Sequence, residues 1–200
     1  MVRSAVVALV LLASQSAFAS NFPYTYIHVG FGKVSLDEEL VFFDEVYEEF
    51  GYFGISGAVQ VADNVSVGLA LSAMANEGRN TELSQSMSLL FVDFPFAVSP
   101  VLDIVPSVGL LNVEVEACLD RLCVKDDDSG MAYGVALRAW AAPDVFEINA
   151  GFSDTTLDDS ESAVSLGGAL WFLDHHRVGL VLSRSSEQSG FTLGYSFNWR

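Results

Sequence analysis

Large apolar residues alternate with small ones along most of this sequence, with a period of two. Close to the C-terminus, one face of the pattern holds Phe191, Leu193, Tyr195, Phe197 and Trp199, and the other holds Gly190, Thr192, Gly194, Ser196 and Asn198. Successive side chains of a β-strand point to opposite faces, so the pattern predicts strands with one apolar face. No internal stretch approaches the roughly 18 consecutive apolar residues that a membrane-spanning helix needs.

Ten segments show this alternation. They lie near residues 24–36, 50–62, 65–76, 83–98, 103–117, 130–141, 145–155, 161–173, 177–186 and 190–199. The connections after every second segment are short, whereas the others are mostly longer, polar and acidic, which is typical of an up-and-down antiparallel transmembrane β-barrel. We expect ten strands, or eight if a weak pair is miscounted. In segment 103–117 the apolar residues move from even to odd positions, which a β-bulge would explain.

The composition of the polar face indicates which face of the predicted strands points to the outside of the barrel. Its side chains are mainly Gly, Ser, Ala, Thr and Asn, and only 18% of the chain is charged while 51% is hydrophobic. Small side chains fit the interior of a narrow barrel, and large apolar ones fit contact with lipid. The alternative is a soluble lipocalin-like barrel whose apolar face points inward around a ligand.

The first nineteen residues have the composition of a secretory signal peptide. Arg3 precedes an apolar segment, residues 5–13, and Ala17-Phe18-Ala19 forms a small-x-small cleavage pattern. The alternative is an N-terminal anchoring helix. We therefore expect a signal peptide over 1–19, a barrel domain over 20–200, and export from the cytoplasm.

The final strand resembles the C-terminal assembly signal of bacterial outer-membrane proteins, because Gly194-Tyr195-Ser196-Phe197-Asn198-Trp199 alternates and ends in aromatic residues. In that family the aromatic is normally the last residue, whereas Arg200 follows it here. The whole of residues 20–200 resembles small barrels of the OmpA or OmpX type. This resemblance implies a monomer in the outer membrane of a Gram-negative bacterium. It also implies contact with membrane lipid and lipopolysaccharide, and insertion by the barrel-assembly machinery.

The charge balance limits the partners. With 9 basic and 26 acidic residues the formal net charge is −17, which argues against nucleic-acid binding. The predicted outer loops hold much of the acid, including Asp37, Glu38, Glu39, Asp126, Asp127 and Asp128. We interpret these carboxylates as solvating charge. The alternatives are divalent cations shared with lipopolysaccharide, or a cationic partner. No cofactor and no dedicated metal site are predicted.

Three charged residues are predicted to face the lumen. Strand parity places Arg138 and Glu147 on the inward face, directly opposite each other if a tight turn follows Ala142. Asp93 has the same inward parity two strands away. An unpaired buried charge is costly, and one guanidinium can serve two carboxylates. We therefore expect an Arg138–Glu147 pair, shared with Asp93, that locks the barrel interior. An ion gate is the alternative.

Other reactive or aromatic residues have plain structural interpretations. His28 faces inward and is expected to be a hydrogen-bonded filler, while His175 and His176 are adjacent and poorly placed for chelation. Cys118 and Cys123 are expected to form a disulfide at the tip of the third outer loop, with free thiols or a metal pair as alternatives. Aromatic residues near strand ends, including Tyr24, Phe50 and Trp140, are interpreted as membrane-interface girdles and rim packing.

No catalytic constellation of histidine with serine or aspartate stands out, so an enzyme is not predicted. The sequence favours a structural or surface-interaction role, such as membrane integrity or adhesion. The alternative is a narrow, porin-like channel for ions or small solutes.

Overall fold

The computed structural model describes residues 20–119, 122–157 and 162–199, which form one closed antiparallel β-barrel. The predicted fold class is confirmed. The strands are β1 (Thr25–Phe42), β2 (Glu45–Ala62), β3 (Val65–Glu77), β4 (Thr81–Asp93), β5 (Phe96–Ser99), β6 (Leu102–Leu119), β7 (Leu122–Ala142), β8 (Phe146–Thr155), β9 (Ala163–Phe172), β10 (His176–Arg184) and β11 (Gln188–Trp199).

Ten of these strands cross the barrel, and each pairs with its neighbour in the chain. Pairing of β1 with β11 and of β4 with β6 closes the sheet on itself. The short β5 continues the course of β4 after an interruption at Phe94 and Pro95, since proline has no N–H to donate to a ladder. The eight-strand alternative is therefore wrong.

The two faces of the barrel differ as the sequence pattern predicts. Large apolar side chains cover the outside, and many are about half exposed, such as Phe31 at 59%, Leu110 at 62% and Leu166 at 61%. A belt of this size would be unstable in water and is what contact with lipid tails requires. Across residues 20–119, 122–157 and 162–199, no helix is long and apolar enough to span a membrane.

The barrel has two unlike ends. We call the end that holds Ser20 and Trp199 the termini end. The opposite end holds the connections β1–β2, β3–β4, β6–β7, β8–β9 and β10–β11, and we call it the hairpin end. The β1–β2 and β6–β7 hairpins are the longest and extend beyond their neighbours at the hairpin end. The predicted signal peptide, residues 1–19, lies outside the described residues.

Two expectations about local structure are corrected. The strand β6 pairs with β4 and β7 without any register shift, so the predicted bulge is absent from Leu102–Leu119. Its apolar pattern switches because outward positions become polar beyond Leu110, while inward Leu111 and Val113 are buried. The acidic residues Asp37, Glu38, Glu39, Asp126, Asp127 and Asp128 lie on β1 and β7, not in loops. Asp126, Asp127 and Asp128 pair in regular register with β6, whereas Asp37, Glu38 and Glu39 lie where the β1–β2 register shifts between Ser35 and Leu40.

Candidate functional site: a plug in the lumen

One carboxylate forms the centre of a polar cluster inside the termini end. Glu147 is fully buried on β8 and accepts five hydrogen bonds. Arg138 donates from Nε and Nη2 over 2.9 and 3.0 Å, and Arg177 donates from Nε and Nη2 over 2.9 and 3.2 Å. The indole Nε1 of Trp171 donates over 2.9 Å. Charge-assisted, two-pronged pairs of this kind fix both side chains in one geometry.

The register of this cluster differs from the sequence prediction. Glu147 lies opposite Trp140, and Arg138 lies opposite Asn149, because residues 143–145 form the turn and the register shifts within β7 between Trp140 and Ala142. Arg138 therefore reaches Glu147 diagonally and not from directly across the ladder. Asp93 lines the same cavity as Arg138, although among the described residues the ion pairs of this cluster are those of Glu147, so the sharing of Arg138 with Asp93 stays a prediction. The second cation on Glu147 is Arg177, which the sequence analysis did not identify.

Arg177 gave a usable signal that was missed. It follows the short turn before β10, and it alternates with Val178 and Leu180, which face outward. Its parity is therefore inward. In the structure it lies opposite Trp171, which is two residues along β9 from Ala169, the partner of Glu147. A parity count over every charged residue near a turn would have placed it in the cluster.

Aromatic residues pack against the polar cluster and close this end of the lumen. The buried set is Phe22, Tyr24, Val105, Trp140 and Trp171. The rings of Phe22 and Trp140 stack at 4.5 Å between centroids, and Trp140 meets Trp171 edge-on at 5.6 Å. The Arg138 guanidinium lies 4.4 Å from the centroid of the Phe22 ring, a cation–π contact. Tyr24 and Trp140, and at the other end Phe50, therefore fill the interior and do not form a girdle.

The segment that precedes β1 enters the barrel. Asn21 donates from its backbone N–H and from Nδ2 to the carboxylate of Asp103, which is fully buried, and Tyr24 donates its hydroxyl to the same carboxylate over 3.1 Å. Asn21 Nδ2 also donates to the carbonyl of Ser99 over 2.8 Å. These bonds hold Phe22 inside the barrel. Residues 20–24 and the Glu147 cluster together form what we call the plug.

A small polar cavity of about 320 Å³ lies in the lumen next to the plug. Asp93, His28 and Ser107 line it, together with Arg138 and Arg177. The Nδ1 of His28 lies 2.8 Å from the hydroxyl of Ser196, a hydrogen bond that accounts for the ring's position. Gly194 makes room for the ring, because a Cβ there would lie 2.2 Å from His28 Cε1. The cavity therefore places a histidine ring beside a serine hydroxyl in an interior that side chains otherwise narrow.

The remaining predicted residues lie apart from the plug. Cys118 and Cys123 are joined by a disulfide across the ends of β6 and β7, with their Cα atoms 4.0 Å apart. Glu116 lies close to the two sulfurs, but a disulfide offers no thiolate to a metal. His175 and His176 lie at the termini end, where the Nδ1 atom of His176 is 2.7 Å from the Tyr195 hydroxyl oxygen.

At the hairpin end the charges form local pairs. Lys125 donates to Glu114 and Glu116 on the outside of the β6–β7 hairpin, and these hydrogen bonds raise the pKa of its ammonium group above the ordinary value. Arg184 donates to Asp37 over 2.8 Å. Glu38, Glu39, Asp126 and Asp127 are exposed.

Comparison with known proteins places the fold but not the activity. No protein-family model matches the chain, and no curated protein matches its sequence. The crystal structure of Neisserial surface protein A (NspA) matches 87% of this chain and 96% of its own, with a TM-score of 0.50 and 8% identity. Ail, the attachment invasion locus protein of Yersinia pestis, matches 88% and 97%, with a TM-score of 0.49 and 12% identity. The KdgM porin matches 86% and 99%, with a TM-score of 0.45 and 7% identity. The likeness to NspA supports the outer-membrane barrel fold.

Proposed function

We propose that this chain is an outer-membrane β-barrel whose lumen is closed at the termini end, and that its role is structural or surface-interacting. The observation that carries the proposal is the plug. A carboxylate with five hydrogen bonds, two guanidinium groups and a stacked aromatic set occupy the space through which a solute would have to pass. A barrel of ten strands is narrow enough for side chains to fill it.

The orientation follows from the usual arrangement of such barrels. Termini and short turns normally face the periplasm, and longer connections face outward. The plug would then close the periplasmic end, while the long β1–β2 and β6–β7 hairpins would project from the cell. Proteolysis of whole cells that cleaves the hairpin end, combined with a gel on which heating shifts the folded barrel, tests both the location and the closed fold.

Planar-bilayer recording tests the closed lumen. The unmodified protein is expected to give no stable conductance steps. The double variant Phe22→Ala, Trp140→Ala removes the stacked pair that fills the lumen beside Arg138, and it is expected to give stable steps. The matched control is Phe31→Ala, Phe53→Ala, which removes two adjoining rings from the lipid-facing surface.

One result would contradict the closed lumen, and a second would contradict the role given to Phe22 and Trp140. Stable nanosiemens steps from the unmodified protein would mean that the plug does not close the lumen, and would favour a transport channel. Silence from a correctly folded Phe22→Ala, Trp140→Ala variant would mean that these aromatics are not what closes it.

A further inference from the structure

A second cavity lies inside the hairpin end, opposite the plug. Its volume is about 530 Å³, within the range of sites for drug-sized molecules. The lining includes many apolar side chains, among them Leu40, Leu83, Leu111, Val113 and Val115. We call this cavity the hairpin-end pocket.

The apolar lining is unusual for this lumen. Elsewhere the inward positions are mostly Gly, Ser, Ala and Thr, which suits an interior that is packed or wet. In the pocket, Leu111 and Val113 are buried, whereas Leu40 and Val115 remain 43% and 45% exposed. Ser84, Gln85, Thr155 and Gln188 add uncharged polar groups to the lining, so the pocket combines an apolar wall with hydrogen-bonding partners. The lining fits the apolar body of a ligand.

The charged groups on the pocket have one sign. Asp126, Asp127 and Asp128 line it from β7, and Glu187 lines it from the β10–β11 turn. Among the described residues that line it there is no lysine or arginine. Arg184 lines an adjoining cavity, and it is already paired with Asp37. The field at the pocket is therefore negative, so it attracts cations and repels anions.

We propose that the hairpin-end pocket binds an amphipathic organic cation. The apolar body of the ligand lies against Leu83, Leu111 and Val113, and its ammonium group lies near the carboxylates of Asp126 and Glu187. Burial of the apolar body supplies most of the binding free energy, because an exposed carboxylate alone contributes little. The carboxylates make the pocket prefer cationic ligands over anionic ones. This inference goes beyond the closed lumen, since the pocket lies at the other end and binds whether or not the plug conducts.

The binding test uses three probes of the same chain length. Hexyltrimethylammonium, hexyl sulfate and hexanol are titrated calorimetrically into the protein in nanodiscs of zwitterionic lipid, with empty nanodiscs as the blank. The ammonium probe is expected to bind with one site per barrel and hexyl sulfate is expected not to bind. Equal or tighter binding of hexyl sulfate, or no binding of the ammonium probe, would overturn the proposal.

Matched variants locate the site. Asp126→Asn with Glu187→Gln removes two carboxylates from the pocket, and Glu114→Gln with Glu116→Gln removes two from the outer face of the β6–β7 hairpin. The first pair is expected to weaken binding about tenfold, and the second to change it less than about twofold. Val115→Asn is expected to weaken binding, whereas Val41→Asn, which lies outside the pocket, is not. If the pocket variant and its control lost the same affinity for the ammonium probe in either comparison, the assignment of the site would be overturned.

Discussion

At the scale of single residues, Glu147 has the largest consequences for the barrel interior. Two guanidinium groups face one carboxylate, so removing the carboxylate leaves two like charges close together and poorly solvated. Asp103 is also buried, but it lies with Asn21 and Tyr24 and forms no ion pair with either arginine among the described residues. Among the described residues, Glu147 is the carboxylate that pairs with both arginines, while Asp103 lies opposite Arg138 in the β6–β7 register and Asp93 lines the neighbouring cavity.

Glu147→Gln is expected to lower the free energy of unfolding by about 3–5 kcal/mol, the usual cost of breaking one side of a buried pair. Glutamine keeps the size and one acceptor, so the loss reports charge rather than packing. Urea unfolding in lipid vesicles measures it, with tryptophan fluorescence reporting on Trp140 and Trp171 in the plug. Glu114→Gln, an exposed carboxylate in the Lys125 pair, is the control and should change stability by less than about 1 kcal/mol. A similar loss in both variants would contradict the role given to Glu147.

Strand parity predicted which way Arg138, Glu147 and Asp93 face, because inward and outward positions alternate without exception along a regular strand. It did not predict their register, since β7 contains a register shift between Trp140 and Ala142 that the sequence Ala142-Pro143-Asp144 does not specify. The entry of Phe22 into the lumen was also missed. That segment shows no alternation, and its position is set by hydrogen bonds to Asp103, about eighty residues away.

At the scale of elements, the hairpin end is held together by contacts between neighbouring hairpins. Glu45, at the start of β2, accepts hydrogen bonds from the hydroxyl of Thr81 and from the backbone N–H groups of Arg79 and Asn80 in the β3–β4 turn. Tyr47, Phe50 and Leu83 pack beneath this contact. The hydrogen bonds of Thr81, and after it of Asn80, Arg79 and Tyr47, lower the pKa of the Glu45 carboxyl below its ordinary value of 4.5.

The Glu45 contact makes the β3–β4 turn sensitive to acid. Because the pKa is lowered in the folded state, the contact stabilises the turn fully above pH 4.5, and this contribution is lost as the pH falls through the folded pKa. Amide exchange of Arg79 and Asn80, corrected for intrinsic rates, is expected to accelerate as the pH falls below 4.5. In Glu45→Gln the same amides should be less protected at neutral pH and lack this acid step. Acid-dependent protection that persists in Glu45→Gln would contradict the assignment.

The length of the strands was harder to predict than their number. Asp37, Glu38 and Glu39 look like a loop in sequence, yet they lie on β1 because Val41 and Phe42 pair with β2 further along and Tyr47 is buried beneath them. Acidic residues on a strand that extends beyond the membrane face water, so their composition resembles that of a loop. The two-residue turn Phe43-Asp44 takes the left-handed conformation without glycine, which removes the usual sequence signal for a hairpin.

At the scale of the whole molecule, the barrel has three levels along its axis. The plug closes the termini end, small side chains and a polar cavity occupy the middle, and the hairpin-end pocket is apolar with acidic residues around it. The outer belt of large apolar residues surrounds these levels. The alternation of residues along each strand predicts the outer belt. It could not distinguish the residues that line the apolar pocket from those that face lipid, because both are apolar residues at alternating positions.

The assignment of the outer face to lipid is the premise of every proposal above, and two adjacent residues on β10 test it. Leu180 faces outward and is 46% exposed, whereas Val181 faces inward and lines the polar cavity with Asp93. Leu180→Lys near the middle of the strand is expected to cost about 2–4 kcal/mol in a bilayer, because the charge enters hydrocarbon. Val181→Lys places the same charge in a cavity lined by polar side chains, where Asp93 partly offsets the repulsion from Arg138 and Arg177, so the loss should be smaller. Urea unfolding in vesicles measures the free energy of unfolding of both variants, with the heat-shifted gel band as the readout of the folded fraction. If Val181→Lys were the more damaging substitution, or if the protein folded as a monomer in buffer without detergent or lipid, the apolar belt would not be a membrane surface.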